Sequence, residues 1–256
     1  MHIDTFAYSN RWRMVHPGEK GLFTLLCLIA ALLSKTALVP LGIAAAMAIM
    51  TVMGAAIPWR LYLRLMILPF LFLLWSCLAL AVSFSREAGV LLVNVPDLHL
   101  TITLSQSGIT KAWLTFSRAL GATMSLLFLA LTTPMTEIMG LLRSLGAPKL
   151  MVELMTIAYR QIFVFLEIAR QIRTAQDARL GYASTWLAMK SLGGLAGNIL
   201  LKSLSSSRQN HLALLARGYD SELLFLSPYR NRSLQNLIAA VGAGAALVAL
   251  ALAIEP

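Results

Sequence analysis

Apolar runs long enough to cross a lipid bilayer, or nearly so, recur along this chain. A spanning helix needs roughly 20 mostly apolar residues. We expect five spans, the first of them short, at residues 21–33, 37–57, 65–82, 112–131 and 234–254. The pattern predicts an all-α membrane protein with about five transmembrane helices.

The composition excludes the other broad classes. Charged residues make up 12% of the chain, whereas a soluble domain carries about 25%. The hydrophobic share of 58% is too high for a disordered chain. Two cysteines cannot build a disulfide framework or a cysteine-rich zinc site.

The distribution of Lys and Arg predicts the orientation, because cytoplasmic loops carry an excess of both. If the N-terminus is inside, five basic residues near the first spans lie on the inner side and three on the outer side. The inner ones are Arg11, Arg13, Lys20, Arg60 and Arg64, and the outer ones are Lys35, Arg86 and Lys111. We therefore expect a multi-pass protein of the cell inner (cytoplasmic) membrane with a cytoplasmic N-terminus.

Four parts follow from these spans. Residues 1–20 are a cytoplasmic N-terminus, 21–132 hold transmembrane helices 1–4, 133–233 form a cytoplasmic segment, and 234–256 hold the last transmembrane helix. In the outer loop 84–108, apolar and polar residues alternate around Pro96 and Asp97, which is typical of a small β-hairpin.

The spans contain no Asp, Glu or His, and Arg118 is their one charged residue. A proton-coupled carrier needs a titratable relay, and a membrane hydrolase needs a base or metal ligands. We therefore expect no catalytic residue, no metal site and no cofactor. Arg118 is expected to bond a neighbouring carbonyl or to reach towards the membrane surface.

The segment 133–233 combines 12 Lys and Arg with 6 Asp and Glu, and it is also rich in apolar residues. This mixture predicts long amphipathic helices at a membrane surface or against a partner. In the first helix, at about 150–179, a polar face and an apolar face are separated. The polar face holds Glu153, Arg160, Glu167 and Thr174, and the apolar face holds Leu154, Ile157, Phe165, Ile168, Ile172 and Ala175.

The second helix is expected at about 188–217. It carries Gly193 and Gly197, a pair of small residues that lets two helix backbones approach closely. We therefore predict that the two long helices cross at this pair.

Both long helices end in the same local chemistry, an arginine flanked by small residues. The first end is Ala178-Arg179-Leu180-Gly181 and the second is Ala216-Arg217-Gly218. An arginine offers five donors in a planar fork that suits a carboxylate. A basic residue at a helix C-terminus also complements the helix dipole, so the residues alone leave both explanations open.

The ordered set of motifs resembles the transmembrane T component of energy-coupling factor (ECF) transporters. The likeness is to the CbiQ branch for cobalt and its nickel relative NikQ. It extends over nearly the whole chain. The matching stretches are Ile3-Asp4-Thr5-Phe6-Ala7-Tyr8, His16-Pro17, Lys20, Thr132-Thr133-Pro134, Leu145-Gly146-Ala147-Pro148, Tyr159-Arg160, Arg170-x-x-Arg173-x-Ala175 and the two Ala-Arg signatures, the second continuing as Arg217-Gly218-Tyr219-Asp220.

The resemblance implies a coupling scaffold without catalytic activity of its own. In this family the signature arginines, Arg179 and Arg217 here, enter grooves of two CbiO-like ATPase subunits. The metal is held by a CbiM-like membrane subunit, often with a CbiN-like one. Leu180 departs from the family pattern, in which a small residue is commoner.

Other readings remain beside this one. The same role in a nickel or vitamin transporter fits as well, and a stand-alone channel or carrier belongs to a different class. A membrane enzyme would need clustered acidic or histidine residues, which the cytoplasmic segment lacks. Membrane lipid is an expected partner of the basic segment, and nucleic acid is not, because the basic residues are interleaved with apolar ones. No ATP-binding G-x-x-x-x-G-K-[ST] motif is present.

Overall fold

The computed structural model describes residues 3–84, 90–95, 100–104, 106–218 and 234–253. Its helices form two compact units, one of Met1–Ile138 with Tyr229–Pro256 and the other of Met139–Pro228. A three-stranded sheet is the only β-structure within the described residues. The predicted all-α membrane class is confirmed, with this small sheet added.

The first unit opens with α1 (Ile3–Ser9) and a 3-10 turn (Arg11–Met14). Four longer helices follow the chain: α2 (Pro17–Leu33), α3 (Leu38–Ile49), α4 (Trp59–Ala81) and α5 (Gln106–Thr132). A π-helical turn (Met50–Gly54) continues α3. Helix α9 (Leu234–Ala253) returns to this unit.

Among the described residues, two helices are long and apolar enough to cross a membrane, Trp59–Leu80 within α4 and Gly108–Thr132 within α5. Two shorter apolar helices cover Leu38–Gly54 and Ala240–Ala251. The total of five crossings therefore stays a prediction.

Helix α2 begins at Pro17, four residues before the predicted span, and the membrane boundary at residue 20 stays a prediction. The His16 side chain accepts a hydrogen bond from the Gly18 N–H at 3.1 Å, and Pro17 occupies the first helical turn. Proline favours that position because its missing N–H would have no helical partner there. Glu19 and Lys20 therefore belong to the first turn of α2. Both are buried, and each is 2% exposed.

The core of this unit lies where α2, α3, α5 and α9 pack together. Its buried residues are Cys27, Ala30, Ala31, Val39, Ile43, Met47, Phe128 and Ala251. Phe128 stands edge-on to the rings of Trp12 and Phe23, with centroids 5.6 and 6.3 Å apart. A Cβ at Gly121 would lie 2.9 Å from the Pro40 carbonyl oxygen, so α5 passes α3 too closely there for a side chain.

Arg118 is bonded to a backbone carbonyl, as its position in the fourth span predicts. Its Nε donates to the Ser34 carbonyl oxygen at 2.8 Å, where α2 has just ended. The last carbonyls of a helix have no partner within the helix. Arg118 supplies one such partner in the first unit.

The predicted β-hairpin is present between α4 and α5. Strands β2 (Val90–Val95) and β3 (Leu100–Leu104) pair antiparallel, and β1 (Val82–Phe84) pairs with the other side of β3. The register shifts between Leu91 and Val93, which marks a bulge in β2. Residues 96–99, which include the predicted Pro96-Asp97 turn, lie outside the described residues.

The N-terminal segment closes the C-terminal end of α5. Asn10 is buried, and its Nδ2 donates to the carbonyls of Ala7, Thr132 and Leu131 at 2.8, 3.1 and 3.3 Å. Lys20 Nζ donates to the Thr132 carbonyl at 2.9 Å. Two side chains from far along the sequence therefore satisfy the last carbonyls of this helix.

Replacing Asn10 by leucine should destabilise the first unit by about 2 kcal/mol or more, because buried carbonyls lose their donor. The measurement is the thermal unfolding midpoint in detergent, which should fall by roughly 4–8 °C. Asn198→Leu is the matched control, since that exposed amide bonds only Gly194 within its own helix. Equal effects at both positions would refute the closing role of Asn10.

Candidate functional site

The second unit is dominated by two long antiparallel helices. After α6 (Met135–Ser144), which begins in the first unit, come α7 (Lys149–Asp177) and α8 (Thr185–Ala216). Gln161 Nε2 donates to Ser206 Oγ at 2.7 Å, and Gln176 Nε2 donates to the Ser191 carbonyl at 2.9 Å. Between these two bonds both helices advance by the same number of residues in opposite directions. The predicted long helices are confirmed to within three residues at each end.

The facing sides of the two helices can be followed residue by residue. Half-buried residues recur on α8 at every third or fourth position, which makes one helical stripe. The stripe is Ala188, Ser191, Leu195, Ile199, Ser203, Ser206, Asn210 and Leu214. On α7 the corresponding stripe is Gln161, Phe165, Ile168, Ile172 and Gln176.

The predicted apolar face of α7 is confirmed in its central part and wrong at both ends, where Leu154 and Ala175 are exposed. Phe165, Ile168 and Ile172 are half-buried, but Leu154 is 58% exposed, while Glu153 from the predicted polar face is 6% exposed. An ideal helix drifts about 20° per seven residues relative to a strict seven-residue repeat. A face that is assigned from a strict seven-residue repeat over three heptads is therefore displaced around the helix axis towards the helix ends.

The predicted crossing at Gly193 and Gly197 is wrong for the contact between these two helices. Both glycines are exposed, and a Cβ added to either would meet no atom within 4 Å. The two glycines lie on a different side of α8 from Ser191 and Leu195, which face α7. The stripe with serine and alanine makes the contact instead.

The first signature lies in a turn with a defined backbone. The Gly181 N–H donates to the Gln176 carbonyl at 2.9 Å, and the Leu180 N–H donates to the Asp177 carbonyl at 2.9 Å. These are the two bonds of a Schellman motif, which ends a helix through one residue in the left-handed conformation. Leu180 is that residue, with φ +58°.

Side-chain hydrogen bonds and one contact between a cation and an aromatic ring hold the same turn in place. Gln176 Oε1 accepts from the Tyr182 hydroxyl at 2.9 Å, while Nε2 of the same amide holds the Ser191 carbonyl. Ser191 Oγ donates to the Gly181 carbonyl at 2.8 Å, and the Arg173 guanidinium lies 5.8 Å from the Tyr182 ring centroid. We call this turn, residues 176–182 with Ser191, the braced turn.

The braced turn presents Ala178, Arg179 and Leu180 outwards. All three are exposed, and Leu180 is 73% exposed. Within the described residues, the Arg179 guanidinium makes no hydrogen bond and no ion pair. The guanidinium is therefore available to a carboxylate of another protein.

The second signature, Ala216-Arg217-Gly218, ends α8 through two backbone hydrogen bonds. The N–H groups of Arg217 and Gly218 donate to the carbonyls of Leu214 and Leu215, each at 3.0 Å. Gly218 has φ +72°, a conformation that suits glycine. Ala216 and Arg217 are exposed, and the description of this segment stops at residue 218.

The two arginines stand at opposite ends of one hairpin. Arg179 precedes α8 and Arg217 follows it, so they are separated by the length of a helix of 32 residues. At about 1.5 Å per residue this length is roughly 47 Å. One groove of a partner protein could not receive both guanidinium groups at this separation.

The bracing residues Gln176, Tyr182 and Ser191 were not predicted from the sequence. A usable signal exists, because polar residues interrupt the apolar stripe of each long helix at Gln161, Gln176, Ser191 and Ser206. Polar groups on an otherwise buried face usually bond each other or the backbone. Which of them meet could be learned only from the pairing of the helices.

Comparisons with known proteins cover nearly the whole chain. The family profile "Cobalt transport protein" (CbiQ) matches residues 9–225. The cobalt transport protein CbiQ of Salmonella typhimurium is 30% identical over 86% of this chain and 97% of its own. That of Rhodobacter capsulatus is 32% identical over 88% of this chain and 87% of its own.

A further relative, from Methanocorpusculum labreanum, is named a putative fused cobalt transport protein CbiMQ. It is 29% identical over 85% of this chain, which corresponds to 36% of that longer protein. The matched profile spans well over half of the present sequence, and the Rhodobacter relative is aligned over most of both chains. The chain therefore belongs to the CbiQ family of cobalt transport proteins.

Proposed function

We propose that this chain is the transmembrane scaffold and coupling subunit of an ATP-driven cobalt importer of the ECF type. It binds two CbiO-like ATPase subunits through Arg179 and Arg217 and passes their closure to a CbiM-like metal-binding membrane subunit, with a CbiN-like subunit where one exists. It lies in the cell inner membrane as a multi-pass protein with its N-terminus in the cytoplasm. It catalyses no reaction itself.

One observation carries this proposal. Two exposed arginines, whose guanidinium groups make no hydrogen bond or ion pair with the described residues, stand about 47 Å apart at the ends of one hairpin. A lone arginine at a helix end is explained by the helix dipole. That explanation gives no reason for the braced turn, which holds the first arginine at a defined place outside α7.

The coupling step follows from the stiffness of the hairpin. Hydrogen bonds join α7 and α8 both at the middle of α7 and at its C-terminal end. A force applied to Arg179 is therefore passed to both helices through the nearby bond of Gln176, and a force applied to Arg217 is passed from α8 to α7 through the bond of Ser206. Two ATPase subunits that approach each other on closure then change the position of one rigid body.

The fused CbiMQ relative supports the proposed metal-binding partner. The Methanocorpusculum labreanum relative is named a putative fused cobalt transport protein CbiMQ, a name that combines CbiM and CbiQ in one chain. We infer that the present chain associates with a separate CbiM-like subunit. The metal then binds in that subunit, as expected for a chain whose predicted spans contain no acidic residue or histidine.

Reconstitution tests the proposed function against a stand-alone carrier. Proteoliposomes with this chain, the ATPase and the metal-binding subunit should take up Co²⁺ only with ATP, and omission of any one subunit should abolish uptake. Co²⁺ uptake by this chain alone, without ATP, would refute the scaffold role and favour the carrier. Competition by Ni²⁺ or by a vitamin in the same assay distinguishes the other substrates.

A further inference from the structure

We infer that Leu180 is a second contact residue at the first ATPase site, where its side chain fills an apolar recess beside the acidic groove that receives Arg179. This inference rests on the proposed function. It adds a specificity-determining contact and makes the two ends of the hairpin chemically different.

The backbone of Leu180 is the first observation. At φ +58° a residue with a Cβ is crowded against its own carbonyl group, which is why glycine is the usual residue at this point of a Schellman motif. Leucine at this position is less favourable for the turn than glycine. Some other advantage must offset that cost.

The turn itself does not provide the advantage. The bond from Leu180 to Asp177 uses a backbone N–H, which a glycine would also supply. The bracing bonds belong to Gln176, Tyr182 and Ser191. The Leu180 side chain is 73% exposed, so it adds little packing within the chain.

The position of Leu180 indicates what covers it. Leu180 follows Arg179 directly, both side chains are exposed, and the braced turn holds both in place. Hot-spot residues of protein interfaces, which often include arginine, are surrounded by contacts that exclude water. A leucine buried next to an arginine–carboxylate pair removes water from that pair and so strengthens it.

The second end of the hairpin provides an internal comparison. Arg217 is also followed by a left-handed residue, but that residue is Gly218, with φ +72°. The backbone after each arginine is therefore alike, and the side chain differs. The first end can gain an apolar contact that the second end lacks, so the two ATPase subunits are held with unequal strength.

The test measures ATPase binding to the full chain in nanodiscs, with the first site isolated by Arg217→Ala. Leu180→Ala removes most of the side chain but keeps the Cβ, and Leu180→Gly also relieves the backbone. Each should weaken binding about tenfold, as expected when one leucine is no longer buried at an interface. Leu180→Gly should meanwhile raise the thermal midpoint of the chain, so that stability and affinity change in opposite directions.

Two further variants separate the possible failures. Leu200→Ala, at a 63% exposed leucine in the middle of α8, should leave binding unchanged. If both Leu180 variants bind normally while Arg179→Ala loses binding, Leu180 is not a contact and the proposed function stands. If Arg179→Ala also binds normally, the proposed coupling site itself is wrong.

Discussion

Replacing both Arg179 and Arg217 by alanine is expected to abolish binding of the ATPase subunits while leaving the chain folded. Both side chains are exposed, and neither guanidinium bonds another described residue, so folding should change by less than about 0.5 kcal/mol. Truncating one partner of a buried charge pair at an interface costs about 2–5 kcal/mol. Each single variant should therefore bind its ATPase subunit roughly 30-fold to several thousand-fold more weakly.

The separation of the two arginines makes this prediction sharper. Sites about 47 Å apart without shared partners should act additively. Each single variant should thus lose one ATPase subunit and keep the other, which the mass of the purified complex reports. Arginine-to-lysine variants should bind at intermediate strength, because lysine keeps the charge but loses the two-pronged hydrogen bond.

Arg170→Ala is the matched control for these variants. Arg170 is an exposed arginine on α7, 58% accessible in its side chain, and it pairs only with Glu167 at 3.4 Å. Such surface pairs contribute about 0–1 kcal/mol, so this variant should retain both ATPase subunits. A double variant of Arg179 and Arg217 that still binds both subunits would contradict the coupling assignment.

The helices of the second unit could be predicted because their signal is local. A repeat of charged and apolar residues over thirty positions defines a helix whatever it packs against. The helix ends could also be predicted, since Ala178-Arg179 follows the last residue of α7 and Arg217 follows Ala216, the last residue of α8. The periodicity could not show which face of α8 meets α7, because that depends on the register between two helices.

The start of α2 shows a second limit of prediction from local sequence. A search for apolar runs begins at residue 21, since Glu19 and Lys20 are charged, yet both lie buried inside the helix. Lys20 is tolerated there because its ammonium group donates to a carbonyl 112 residues away in the chain. His16-Pro17 was the local sign of a helix start, but the burial itself depends on a tertiary contact that no local pattern contains.

The braced turn depends both on local sequence signals and on tertiary contacts that no local pattern contains. Gly181 was predicted only as one of the small residues that flank Arg179, whereas the structure shows that it is also needed within the turn. A Cβ at Gly181 would lie 2.7 Å from Ser191 Oγ and 2.9 Å from the Gln176 carbonyl oxygen. Leucine at position 180 carries no turn signal at all, because its left-handed conformation is imposed by the two bonds that close the motif.

Gly181→Ala is accordingly expected to disrupt the first coupling site without touching Arg179. Atoms closer than 3.0 Å to a Cβ must shift, and one of them is the backbone carbonyl that closes the turn. Forcing a methyl group into such a space costs typically 1–3 kcal/mol. Hydrogen exchange of the amides at 180 and 181 should become faster, and ATPase binding at the Arg179 end should weaken by tenfold or more.

Gly218→Ala is the matched control at the other end. A Cβ there meets no atom of the described residues within 4 Å, and among these residues only the positive φ of +72° opposes the substitution. The cost should be about 1 kcal/mol, with exchange near residues 180 and 181 unchanged. If Gly181→Ala left both exchange and binding as in the unaltered chain, the braced turn would not be what holds Arg179 in place. If exchange rose while binding stayed normal, the ATPase subunit itself would impose the position of Arg179 on binding, and stiffness of the free hairpin would be unnecessary for docking.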